Sequence, residues 1–150
     1  FANVIPATDV VAFHAVTSSD GGSSFETSAY TWKVSKINDG VGSPEQNQSK
    51  SDSVIQIIGT ASAGGQAVGS ASNENGVIGE FWVLGPHLTG YTQFRWDIGY
   101  ANDYVGHEEI NPVWGVGSQM QAEDVDAIRF KFSSGNIESG TLNCYGLSNA

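Results

Sequence analysis

Cysteine is nearly missing from this chain: Cys144 stands alone among 150 residues. One thiol cannot close a disulfide or build a cysteine-based zinc site within the chain. Its strand-like setting, between Asn143 and Tyr145, reads as a small, half-buried side chain. Charge is also scarce, at 15% of residues against roughly 25% in an average domain. Basic residues are the scarcest part of it, 6 against 16 acidic, for a net charge of −10. Nucleic acid is bound by lysines and arginines that displace counterions from phosphate. Six scattered cations make no such footprint, so neither nucleic acid nor an anionic membrane surface is an expected partner. No run reaches the ~18 apolar residues of a membrane span, and no signal peptide is evident. The sequence begins at Phe1 rather than Met, which reads as a processed, excised or incomplete product.

Other residues fill the space that charge leaves. There are 19 glycines, and hydrophobic residues make up 39%, enough for a core without staples at this length. Apolar residues recur at every second position, broken by Gly, Asn, Asp and Ser clusters, and no segment carries a helical stripe. Strands are predicted over 9–16, along Tyr30, Trp32 and Val34, over 54–59, and over 78–84. In the last of these Ile78, Trp82 and Leu84 share one face, and Phe81 and Val83 the other, with both faces expected to be partly buried. Phe94, Trp96, Ile98 and Tyr100 alternate with Arg95 and Asp97 in the next strand. A short strand surrounds Trp114, and Ile128, Phe130 and Phe132 alternate with Arg129 and Lys131. Residues 141–147 are predicted to form the closing strand. Residues 38–52 and 102–111 read as polar and acidic surface loops, and 61–75 as a small-residue loop or interface strand. About eight strands in one domain predict an all-β fold, an antiparallel β-sandwich of jelly-roll type.

Chemistry-bearing motifs are thin. His14 falls in a strand, His87 in a turn and His107 in the acidic segment, and no Gly-x-Ser-x-Gly elbow frames a serine. The glycine-rich 59–65 segment is followed by Gln66 and Ala67 rather than the Lys-Ser/Thr of a phosphate loop. The chain is therefore not expected to be an enzyme. Carboxylates cluster at Asp103, Glu108 and Glu109 around His107, and again at Glu123, Asp124 and Asp126. Calcium takes six to eight oxygens from such loops, so Asp103, Glu108 and Glu109 are the candidate metal residues, against the plainer reading of a solvated acidic loop. A glycosidase would need two facing carboxylates, and neighbours such as Glu108 and Glu109 point apart on an extended chain. Exposed aromatics beside amides suit sugar rings or interface contacts. Tyr91, Tyr100, Tyr104 and Trp114, near loops, are the candidate ligand residues. Asn47-Gln48-Ser49 matches a glycosylation acceptor, of consequence only in a protein secreted by a eukaryote.

The C-terminal run carries a resemblance. An Ile128-x-Phe130-x-Phe132 strand leads to Ser133-Ser134-Gly135-Asn136-Ile137, then Gly140-Thr141 and a Tyr145-Gly146 close. This resembles the ending of a group of tailed-bacteriophage virion proteins common in phages of marine bacteria. Asn3 to Asp9, Ser18 to Ser24 and Gly79 to Val83 are similar to earlier strands of that group. The likeness is strongest over about the last 25 residues and specifies fold more than binding. In physical terms, 133–140 is a hairpin-like connection, with Phe130, Phe132, Leu142 and Cys144 expected to face the core.

The resemblance implies a structural part of a phage particle, either a capsid decoration protein or a tail-fibre or receptor-binding domain. Expected partners are other virion proteins, sibling copies (trimers suit both settings) and a host-surface glycan, with the virion as location and no cofactor beyond calcium. Relatives carry a further strand before the position of Phe1; without it the sheet would have an open edge, or a neighbouring subunit would complete it. The competing expectation is a free carbohydrate-binding module, calcium-assisted.

Overall fold

Alternating apolar residues form strands here because a pleated chain sends successive side chains to opposite faces, so one face can be buried while the other meets solvent. The computed structural model describes residues 1–37, 44–59, 67–71, 73–104 and 107–147, with side chains omitted at 102–104 and 107–109. Its strands are β1 (Ala2–Pro6), β2 (Phe13–Ser18), β3 (Tyr30–Ile37), β4 (Pro44–Asp52), β5 (Ile55–Ile58), β6 (Val77–Leu84), β7 (Thr92–Tyr104), β8 (His107–Gln119), β9 (Ala127–Phe132) and β10 (Ile137–Thr141). They build two antiparallel sheets, one in the order β10-β1-β6-β7-β8-β3-β4 and one in the order β5-β2-β9. The expected all-β antiparallel sandwich is thus the architecture found, with ten strands among the described residues rather than about eight.

The core lies between the sheets. From the large sheet come Tyr30, Trp32 and Val34 of β3, Phe94, Trp96, Ile98 and Tyr100 of β7, and Val113 of β8. The small sheet contributes Phe13 and Ala15 of β2, Ile55 and Ile57 of β5, and Phe132 of β9. An aromatic seam joins the layers: Phe130 meets Phe81 edge-on at 5.2 Å, and Phe81 stacks on Trp96 at 5.9 Å. Such pairs contribute roughly 0.5–1.5 kcal/mol beyond the area they bury. A polar tie also spans the layers. The Tyr30 hydroxyl accepts from the Thr17 backbone N–H at 2.7 Å and lies 2.9 Å from the Thr17 hydroxyl.

Trp96 shapes the strand beside it. Its indole lies over Gly115 and Gly117 of β8, where an added Cβ on Gly115 would stand 2.2 Å from Trp96 Cζ2. Two inward positions of β8, Gly115 and Gly117, are therefore glycine, while its large residues Trp114 and Val116 point outward.

Several expectations need correction. Residues 44–52, read as loop, form β4, paired with β3 from Tyr30↔Asp52 to Ile37↔Pro44. β4 is polar because it is an edge strand, mostly in water on both faces. The acidic segment is not a loop either. Asp103 pairs with Glu108 and Asn102 with Glu109 in the arms of a long β7–β8 hairpin. β1 was not legible from alternation. It lies between β10 and β6 in a register broken by two irregularities. The final strand is 137–141, not 141–147. Leu142 is 46% exposed and Cys144 is exposed, so neither faces the core as expected. Phe132 is buried and Phe130 half-buried, as expected.

Candidate functional surface

Strand parity decides which side chains leave the core. On β7, burial of Phe94, Trp96 and Ile98 sends Arg95 and Asp97 to the outer face. On β8, burial of Val113 sends Trp114 and Val116 there, and on β3 the burial of Trp32 and Val34 does the same for Lys33 and Ser35. Register then sets them side by side: Arg95↔Val116↔Lys33 form one row, and Asp97↔Trp114↔Ser35 the next. These six side chains line an open depression of about 340 Å³ on the outer face of the large sheet. Trp114 is 43% exposed. It stands in the middle strand of the three, with β7 on one side and β3 on the other.

Apolar surface continues on the same face toward β6. Trp82 lies opposite Arg95 and Glu80 opposite Asp97, and Ile78, Trp82 and Leu84 are exposed. The three share one face as predicted, but that face is exposed rather than partly buried as expected.

The charges of the depression are not consumed internally. Among the described residues the ion pair is Lys36–Glu45 at 3.1 Å, on the opposite face of β3 and β4. Lys33 and Arg95 close no ion pair with Asp97 or with any other described carboxylate. The depression therefore combines an aromatic face, two cations, a carboxylate and a hydroxyl. That combination can hold a ligand by stacking and by charge-assisted hydrogen bonds.

Of the four residues expected to bind ligand, Trp114 lies in this depression. Tyr91 is exposed, in the β6–β7 connection, and does not line it. Tyr100 is buried to 1% exposure, a correction: it continues the Phe94–Trp96–Ile98 parity and belongs to the core. The side chain of Tyr104 lies outside the described residues, as do those of Asp103, Glu108 and Glu109, the expected metal ligands. Among the described residues no group of three or more His, Cys, Asp or Glu could hold a metal ion. In the second acidic cluster, Glu123 accepts from the Ser19 hydroxyl at 3.0 Å and Asp126 from the Gly21 N–H at 2.9 Å. These carboxylates tie down the turn after β2.

Two other titratable groups have settled structural surroundings. Burial, with a smaller push from Lys131 and against the pull of Asp52, lowers His14 to about 4. Asp20 is held at about 2 by hydrogen bonds from Ser24 and Ser18, which fold the same turn around its carboxylate.

The polar outward positions of β7 were legible from alternation. That Lys33 and Ser35 join them was not, because β3 reaches this face only by pairing with β8, a strand far from it in sequence. No known protein family matches this chain, and no curated protein or solved structure matches it either.

Proposed function

We propose that this chain is a structural, contact-making domain of a bacteriophage particle, of the capsid-decoration or tail-fibre kind, acting by binding and not by catalysis. The observation that carries the reading is the outer face of the large sheet. Trp82, Leu84, Trp114 and Val116, each at least 42% exposed, stand on hydrogen-bonded strands β6 and β8 and not on loops. Apolar side chains grouped on a rigid surface mark places where another molecule sits. The resemblance of residues 125–147 to virion proteins supplies the setting.

A second exposed region supports assembly. β10 pairs with β1 and forms the edge of the large sheet, and Leu142, Tyr145 and Leu147 follow it with 46–82% exposure. An edge unpaired among the described residues, with apolar residues beside it, suits contact with other copies or other virion proteins. Trimers fit both a fibre and a three-fold capsid position.

Antibody labelling of intact particles by electron microscopy tests the proposal. Label over the head is expected of a decoration protein, and label at the tail tip or fibres of a receptor-binding domain. Particles that bind no antibody although their surface proteins are accessible would refute it. The depression around Trp114 also favours a second reading, a free carbohydrate-binding module. That module would be monomeric in solution and absent from particles.

A further inference from the structure

We infer that the depression around Trp114 binds an acidic sugar residue of a surface glycan, with the sugar ring on the indole and its carboxylate between Lys33 and Arg95. This inference deepens the binding role proposed above and rests on it for its biological setting.

Three observations meet at one place. First, Trp114 offers an exposed indole from the central strand of three, so the platform is fixed before anything binds. A pyranose ring has an apolar C–H face that suits such a surface, and stacking is lost if the platform moves. Second, two of the six basic residues in a chain of net charge −10 line this one depression. Neither has an ion-pair partner among the described residues. The chain as a whole repels anions, so a local pair of free cations marks where one anionic group is accepted. Third, Asp97 and Ser35 flank the indole in its own register row, where they can accept and donate hydrogen bonds to sugar hydroxyls.

A carboxylated sugar presents all three counterparts in one ring: an apolar face, a carboxylate and hydroxyls. A neutral sugar leaves the cations unused. A nucleic acid needs many phosphate contacts for useful affinity, and two cations in a chain of net charge −10 do not supply them. The volume, about 340 Å³, lies at the small end of the roughly 300–1,000 Å³ typical of ligand sites, which suits one or two sugar residues rather than a long groove.

The test is calorimetric titration of the purified chain with polygalacturonate, hyaluronate and polysialic acid, with dextran and dextran sulfate as neutral and sulfated comparisons. Binding to at least one carboxylated glycan and none to dextran is expected. Trp114→Ala, Lys33→Gln and Arg95→Gln are each expected to weaken that binding about tenfold. Lys131→Gln, on the small sheet, should leave it unchanged. Thermal melts equal to the parent chain's establish that each variant is folded, since all four side chains are exposed or half-buried.

No binding to any of the three carboxylated glycans would overturn the inference. So would binding that all folded variants retain, or dextran sulfate held as tightly as the carboxylated glycans and indifferent to Trp114→Ala. The particle reading fails separately. A chain that binds acidic glycan yet is absent from particles upholds this site and removes the virion setting. Labelled particles whose domain binds none of the glycans overturn the site and keep the setting.

Discussion

Replacing Gly115 with alanine would place a methyl carbon 2.2 Å from Trp96 Cζ2, 2.4 Å from Cε2 and 2.6 Å from the Lys33 carbonyl oxygen. Neither neighbour gives way easily. Trp96 is 1% exposed and stacked on Phe81 with 8° between the ring planes, and the Lys33 carbonyl belongs to β3, paired with β8 along seven registered positions. Either the indole slides into the aromatic seam or the β3–β8 ladder opens. Overpacking of this kind costs about 3 kcal/mol, a large share of the ~5–15 kcal/mol that holds a domain folded. At roughly 2–4 °C per kcal/mol for a chain of this size, the melting temperature should fall by about 6–12 °C, read by circular dichroism. Gly117→Ala meets nothing closer than 3.0 Å, and Gly90→Ala nothing within 4 Å, so the order of damage should be Gly115, then Gly117, then Gly90 with no loss. Trp96→Phe in the Gly115→Ala background should recover stability, because it removes the obstructing ring and an indole N–H that has no partner among the described residues. A Gly115→Ala variant melting within about 2 °C of the parent would refute the packing of Trp96 on β8.

Tyr30→Phe should cost about 2 kcal/mol, since it strips the Thr17 N–H and hydroxyl of their shared partner between the sheets; urea unfolding at neutral pH would measure it, and an unchanged midpoint would contradict the tie. His14, lowered from 6.5 to about 4 by burial, favours the neutral form in the folded state. Its contribution is complete above pH ~6.5 and is lost as the pH falls toward about 4, by about 2 kcal/mol once partial exposure is allowed for. The difference in urea midpoint between the parent and His14→Gln should therefore narrow or reverse between pH 7 and pH 4.5, and parallel curves would refute it. Glu45→Gln removes the Lys36 ion pair and should cost about 1 kcal/mol, because Glu45 is partly in water; thermal melts in low and high salt would show the loss shrinking with salt.

Much of this fold could be read from residues that alternate without exception. Phe94, Trp96 and Ile98 with Arg95 and Asp97 between them admit one orientation, as do Phe130 and Phe132 with Arg129 and Lys131, and both strands are found so. Reading fails where local composition answers to a distant neighbour. β4 is Gln, Asn and Ser rich because it is an edge, and edge status depends on strand order. β8 carries glycine on its inner face because an indole two positions from the end of the β7 core run, not a residue of β8, fills that space. For the same reason Trp114 was recognisable as an aromatic near a polar segment, while Lys33, on a strand some eighty residues earlier in sequence, was not recognisable as its companion. Tyr100 was misplaced because a strand predicted to end there continues to Tyr104.

The pairing of early strands with late ones sets an order of events as the chain folds. The β6–β7–β8 meander is built from neighbours in sequence and closes with short loops, so it can form early. β2 can pair with β5 early but gains its second neighbour only with β9, where Phe13 is registered against Phe132, and β1 gains its second neighbour only with β10, where Ala2 is registered against Thr141. During synthesis at about 5–20 residues per second, Phe13 is made several seconds before the residues that bury it. In the last part of that interval, once Phe81 and Trp96 have been made, the aromatic seam still lacks Phe130. Folding is thus most exposed to misassociation just before residues 127–132 emerge, and it is the C-terminal run that ends that exposure.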